Sequence, residues 1–367
     1  MNYTKYGRAV PPQRKSTYIT DLNLDIHRYH QAAGDMSPLT WGADDNIYGA
    51  AGDNRGSPMN FWRISGKPSG GPTNQSDWIV DLIDNLPLDP AIYCRDPRVD
   101  RRWGIKPAGL LDVDGTLYFA VEGQNYGTEP SFNRQTNVHG WIITTKDYGK
   151  TWNREATRVD FFTGRLSSCH FLEFGRGYQG ARDEFVYAYF PAAEDDNSYW
   201  ENGDFILLGR VRRDGILTKD SWEFYTGLNG KNEPTWSKHD GSAVPVFRYD
   251  KMTGENHVSY NKGIGRYIMG NYGFVDDDVN PRPNHQGVWP ECANRSQLTL
   301  YEAPEPWGPW SLFYQDDNWG TYGDYQPNFP PKWMSDDGRT MYMVSAGTWD
   351  DYNFTVQKLT VKTEEDT

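Results

Sequence analysis

The sequence predicts an all-β protein, a five-bladed β-propeller built of four-stranded antiparallel sheets. Three observations carry that prediction. First, the 367 residues include 15 Trp, 24 Tyr and 16 Phe beside 37 Gly and 23 Pro, and aromatics set between turn formers favour short strands over helices. Second, apolar residues at helical spacing are nearly absent, with one short helical turn expected at 77–86. Third, strand–turn–strand units recur about 65 to 85 residues apart, the length of a small sheet with its loops. Radial repetition of such sheets leaves only short, protected edges.

The elements follow in order. The first unit places strands at 38–41 and 47–51 around a turn at 43–46. The second has strands at 108–111 and 116–122 around the Asp/Gly turn 112–115. The third joins 169–174 to 184–190 through a longer connection. The fourth joins 257–260 to 266–272, and the fifth joins 331–334 to 339–345. Further strands are expected at 140–145, 205–212, 298–302 and 354–361. The segment 19–26 is expected to lie beside the last of these, so that strands from both ends close the ring. The resulting division is an N-terminal segment 1–34, a single propeller domain 35–361, and an acidic tail 362–367.

Composition removes several functions. With 37 Lys+Arg against 50 Asp+Glu the net charge is -13, which repels phosphate and argues against general nucleic-acid binding. No apolar run approaches the ~20 residues that span a bilayer. Cys94, Cys169 and Cys292 are too few and too scattered for a disulfide framework or a zinc site. The run Asp276–Asp278 lacks the spaced oxygen ligands of a calcium loop. No phosphate-binding loop, Gly-Xaa-Ser-Xaa-Gly elbow or His-Glu-Xaa-Xaa-His motif is present. No cofactor and no metal are expected.

Register arithmetic points to the chemistry. Pairing about Asp44 sets Asp35 opposite Asp53 at the open end of the first hairpin, where cross-strand Cβ atoms stand roughly 4.5–5.5 Å apart. Two carboxyl groups at one mouth are the minimum for glycoside hydrolysis: one protonated to release the leaving oxygen, one ionised to attack or to activate water. The same spacing also suits two carboxylates that end strands and cap loops. Pairing about Asp114 sets Lys106 opposite Glu122, a pair able to bind hydroxyls, tune the acids, or form a surface ion pair worth little. His170 opens the third unit's inner strand, as a pocket residue or as a satisfied structural histidine. The loop 272–291, with Trp289, is long enough for a substrate-binding lip.

Two kinds of motif then carry a resemblance. Thr145-Lys146-Asp147-Tyr148-Gly149-Lys150-Thr151-Trp152 resembles the Asp-box of sialidases and related propellers, with Thr for Ser. That box is a turn device away from catalysis. More specific are Gly34-Asp35-Met36-Ser37-Pro38-Leu39-Thr40-Trp41 through Gly52-Asp53, Gly180-Ala181-Arg182-Asp183, Tyr260-Asn261-Lys262-Gly263-Ile264-Gly265-Arg266, Glu302-Ala303-Pro304-Glu305-Pro306-Trp307-Gly308-Pro309-Trp310, and Phe329-Pro330-Pro331-Lys332-Trp333. Together, over about residues 34–361, they resemble glycoside hydrolase family 183, formerly a domain of unknown function.

The resemblance implies endo-D-arabinanase activity on the α-D-arabinofuranan of mycobacterial arabinogalactan and lipoarabinomannan. It matches the family's catalytic aspartates to Asp35 and Asp53. Trp41, Trp289 and Tyr325 are then candidates to stack on sugars, with Lys106, Glu122 and His170 as polar contacts. Asn54 follows Asp53 where the family pattern has glycine, a departure at the substrate lip. A polymeric substrate implies a secreted or periplasmic protein, although 1–18 holds no apolar leader, and a monomer is expected. The alternatives are a glycan-binding propeller without turnover, or a glycosidase on another furanose or on a sialic-acid-containing polymer.

Overall fold

The computed structural model describes residues 10–32, 38–54, 57–68, 78–84, 104–125, 136–275, 295–319, 324–347 and 353–366. Among these, strands dominate, and the helical elements are 3-10 turns of three residues. After β1 (Ile19–Ala32), an antiparallel meander runs through β2 (Leu39–Trp41), β3 (Ile47–Asn54), β4 (Ser57–Gly66) and β5 (Trp78–Asp84). A second runs through β6 (Gly104–Val113), β7 (Thr116–Asn125) and β8 (Thr136–Thr145), extended by β9 (Phe162–Thr163).

The third set begins with β10 (His170–Glu173) and β11 (Phe185–Ala192). The short β12 (Ser198–Tyr199) reaches back to β8, and β13 (Gly203–Arg212), β14 (Glu223–Leu228), β15 (Pro234–Ser237) and β16 (Phe247–Thr253) complete the set. A fourth meander holds β17 (His257–Asn261), β18 (Arg266–Val275), β19 (Arg295–Ala303) and β20 (Ser311–Trp319). The last holds β21 (Tyr325–Asn328), β22 (Thr340–Gly347) and β23 (Asn353–Thr363), with β1 outermost and antiparallel to β23 from Ile19↔Thr363 to Ala32↔Asn353.

The first strands of successive sets are neighbours. β6 packs against both β2 and β10, β10 pairs in parallel with β17, and β17 packs against β21. Glycine permits the tightest of these approaches. A Cβ on Gly109 of β6 would stand 2.4 Å from the Cys169 carbonyl oxygen, and one on Gly140 of β8 would stand 2.1 Å from that of Ser167. The segment Ser167–His170 thereby lies tight against the second sheet.

Turn chemistry sets the reversals. Asp114 and Gly115 both take positive φ, 51° and 85°, the backbone of a two-residue hairpin turn. In the Thr145–Trp152 turn, Asp147 accepts from the hydroxyls of Thr145 and Thr151 (2.8 and 2.6 Å) and from Thr151 N (2.9 Å), while Gly149 N donates to Thr145 Oγ1. Those donors hold the Asp147 carboxyl down at about 2. Trp152 then lies edge-on to Phe61 at 5.0 Å, tying the first sheet to the second.

Two sequence expectations are corrected. Of the helical turn expected at 77–86, the described residues 78–84 are strand β5, in which Ile79 and Val80 pair with Ser65 and Ile64; β-branched residues and a waiting partner outweigh a short apolar spacing. The first strand of the fifth hairpin is β21, not 331–334. Pro330 and Pro331 lack the N–H groups a ladder needs, so Pro331–Trp333 forms a 3-10 turn instead.

Candidate active site and a buried polar cluster

The first hairpin is built about Asp44. Leu39 pairs with Gly49, Thr40 with Tyr48 and Trp41 with Ile47, and Ala50 N donates to Pro38 O at 3.3 Å. Asp53 follows on β3, still in the strand. Asp35 and Trp289 lie outside the described residues.

Lys106 pairs with Glu122, by a route the arithmetic did not contain. The turn centres between Asp114 and Gly115, with Val113 opposite Thr116; a bulge between Pro107 and Gly109 then shifts the register by one. Both residues are buried (2% and 0% exposed), so the surface ion pair considered for them is excluded. His170 opens β10 and is also fully buried.

Around these three a polar cluster closes. Glu255, just ahead of β17, accepts from Asn137 Nδ2 and from Ser168 Oγ, each at 3.1 Å, and from Gln326 Nε2 on its other oxygen. Gln124 Nε2 donates to Glu122 Oε1 at 2.9 Å. Ser168 Oγ stands 2.7 Å from His170 Nε2, and the ring of His257 meets that of His170 edge-on at 5.1 Å.

Burial raises both glutamates. For Glu255 the neighbouring Glu122 charge pushes further in the same direction, whereas Gln124 and Lys106 favour the Glu122 anion. The pair therefore holds a proton, mainly on Glu255, well above the usual carboxylate range. Burial lowers both histidines, His257 to about 4, so both rings are neutral at pH 7. Such a cluster can hold and move a proton, or accept a cation. Being buried, it offers no surface to a polymer.

The stacking candidates separate. Trp41 is half-buried, donates Nε1–H to Asp45 Oδ1 at 2.9 Å, and stands at the turn end of its hairpin. With Phe174, Tyr260, Arg176 and Lys332 it lines a cavity of about 1220 Å³ there, away from Asp53. Tyr325 is 1% exposed and surrounded by the rings of Trp200, Tyr272 and Phe274, so it presents no face to a sugar.

Glu255, Ser168, Asn137, Gln124, Gln326 and His257 were not singled out from the sequence. One signal was present: Ser168 and Glu255 each stand two residues before a histidine that opens a first strand of a set.

No family model and no curated protein matches the chain. Solved structures do. They include a GH43_1 enzyme from Xanthomonas citri (11% identity, 96% of this chain and 93% of that one, TM-score 0.47) and a thermostable family-43 glycoside hydrolase (13%, 92% and 94%, 0.43). An exo-1,5-α-L-arabinanase from a bovine ruminal metagenomic library matches at 12% identity over 91% and 93% of the two chains, with a TM-score of 0.46. With every one of these scores below 0.5, what the site does has to be read from its own residues. Among the described residues no helix is long and apolar enough to cross a membrane.

Proposed function

We propose that the chain is a five-bladed β-propeller glycoside hydrolase of the family 183 kind, with Asp35 and Asp53 as its catalytic carboxyl groups. The five-blade reading is supported by the succession of neighbouring first strands, β2, β6, β10, β17 and β21, each opening an antiparallel set. The observation that carries the site assignment is the first hairpin's register. Pairing about Asp44 persists from Trp41 out to Pro38, which supports extending the same register to 35 and 53.

The proposed substrate is an α-D-arabinofuranan of the mycobacterial cell wall, cut at internal linkages. One aspartate protonates the leaving oxygen; the other attacks the anomeric carbon or activates water. A separation of about 5 Å between the carboxyls makes the enzyme retaining, and ~6.5–9.5 Å makes it inverting. An enzyme with this substrate works outside the cytoplasm, secreted or periplasmic, and is proposed to act as a monomer.

The test is digestion of mycobacterial arabinogalactan by wild type, Asp35→Asn and Asp53→Asn, with products resolved by size. Wild type is expected to release a ladder of D-arabino-oligosaccharides, and both folded variants to lose at least a hundredfold in rate, the scale of general acid–base catalysis. Binding of the polymer by wild type without products would overturn the enzyme reading in favour of a glycan-binding propeller.

A further inference from the structure

Two buried carboxyl groups in hydrogen-bond reach of each other need a positive species between them, a shared proton or a metal ion. Glu122 and Glu255 are such a pair, each 0% exposed. A shared proton needs nothing more than the two carboxyls. The site holds more. His170, also 0% exposed, brings a ring nitrogen to the same point, so that one ligand atom from each of the three residues lies within 4.8 Å of the others.

The hydrogen bonds leave ligand atoms bare. Ser168 Oγ lies between Glu255 Oε1 and His170 Nε2, at 3.1 and 2.7 Å, with one hydrogen to give to either. His170 Nδ1 has no hydrogen-bond partner, and neither has Glu122 Oε2. Meanwhile the amides of Gln124, Asn137 and Gln326 hold the remaining carboxylate oxygens, the arrangement by which outer partners orient metal ligands. Lys106, across the ladder from Glu122, balances its charge while no ion is bound.

We propose that Glu122, His170 and Glu255 form a binding site for one divalent transition-metal cation, with zinc the best match. Two oxygens and an imidazole nitrogen suit zinc, whereas calcium and magnesium take all-oxygen shells. Tetrahedral donors at zinc distances stand about 3.4 Å apart, so the three groups draw in by at most about 1.4 Å from their limit of 4.8 Å. The ligands come from three successive parts of the chain, on β7, at the start of β10 and just ahead of β17, which is why no spacing motif announces them. This site stands whether or not the glycosidase reading does.

The test uses full-length protein dialysed against EDTA and titrated with zinc chloride, with manganese and calcium chlorides in parallel, by calorimetry and thermal melting. One equivalent of zinc is expected, with a Tm rise of about 3 °C at a hundredfold excess over Kd. Glu255→Gln, checked for folding by near-UV circular dichroism, is expected to weaken zinc at least tenfold; His170→Gln is the second variant should the first not fold. Failure of wild type to take up stoichiometric zinc would overturn the proposal. So would equal zinc binding by a folded variant, which would mark the ion as adventitious, or a preference for calcium.

Discussion

Replacing Glu255 by glutamine tests the shared proton directly. Burial and the Glu122 charge raise Glu255 above its ordinary value of 4.5, so above that pH the folded protein keeps a proton that the unfolded chain releases. Stability must then fall as pH rises, by about 1.36 kcal/mol per pH unit for one retained proton. Glutamine carries no such proton, so its variant lacks this slope. Between pH 5 and 7 the stability difference between the two proteins should shift by up to about 2.7 kcal/mol in favour of Glu255→Gln. At an unfolding entropy near 0.8 kcal/mol per kelvin for a chain this long, that is ~3.5 °C in Tm. Urea unfolding in EDTA at pH 5, 6 and 7 reads the effect. The offset at pH 5 reports altered hydrogen bonding, since Gln326 has to turn its amide to meet the new one; only the change in offset reports the proton. Parallel profiles for the two proteins would refute a carboxyl pair sharing a proton.

His257 gives the opposite limb. Its buried ring is held at about 4, against an ordinary 6.5, so the unfolded chain takes up a proton first and stability falls as pH drops from 6.5 towards 4, by about 3 kcal/mol in total. His257→Gln should make that limb shallower in melts from pH 7 to 4, His170 keeping its own share, and an unchanged limb would contradict it. Gly109→Ala puts a methyl group 2.4 Å from the Cys169 carbonyl, where backbone rather than a side chain has to yield. A loss of about 2 kcal/mol or more is expected in urea, and unaltered stability would show that β6 and β10 do not approach as described.

Much of the strand framework was legible because its turns carry their own chemistry. Asp114-Gly115 can reverse a chain in only a few ways, and the Asp147 turn satisfies its own backbone. Where local chemistry was weak the reading failed. β5 was hidden because its pairing with β4 is not visible in its own residues, and β21 because two prolines drew attention to the turn that follows it. Lys106 and Glu122 were paired correctly only because a bulge cancelled an error of one residue in the turn centre. The buried cluster was legible only in part. Asn137 lies on β8 while Ser168 and Glu255 precede β10 and β17, and no periodicity within one segment connects them.

The most direct test of the central claim is the arabinogalactan digestion with wild type beside Asp35→Asn and Asp53→Asn. A ladder of D-arabino-oligosaccharides from wild type, lost in both folded variants, is the predicted result. Full activity in both variants would contradict the assignment of the two aspartates, and no products from wild type would contradict the enzyme itself.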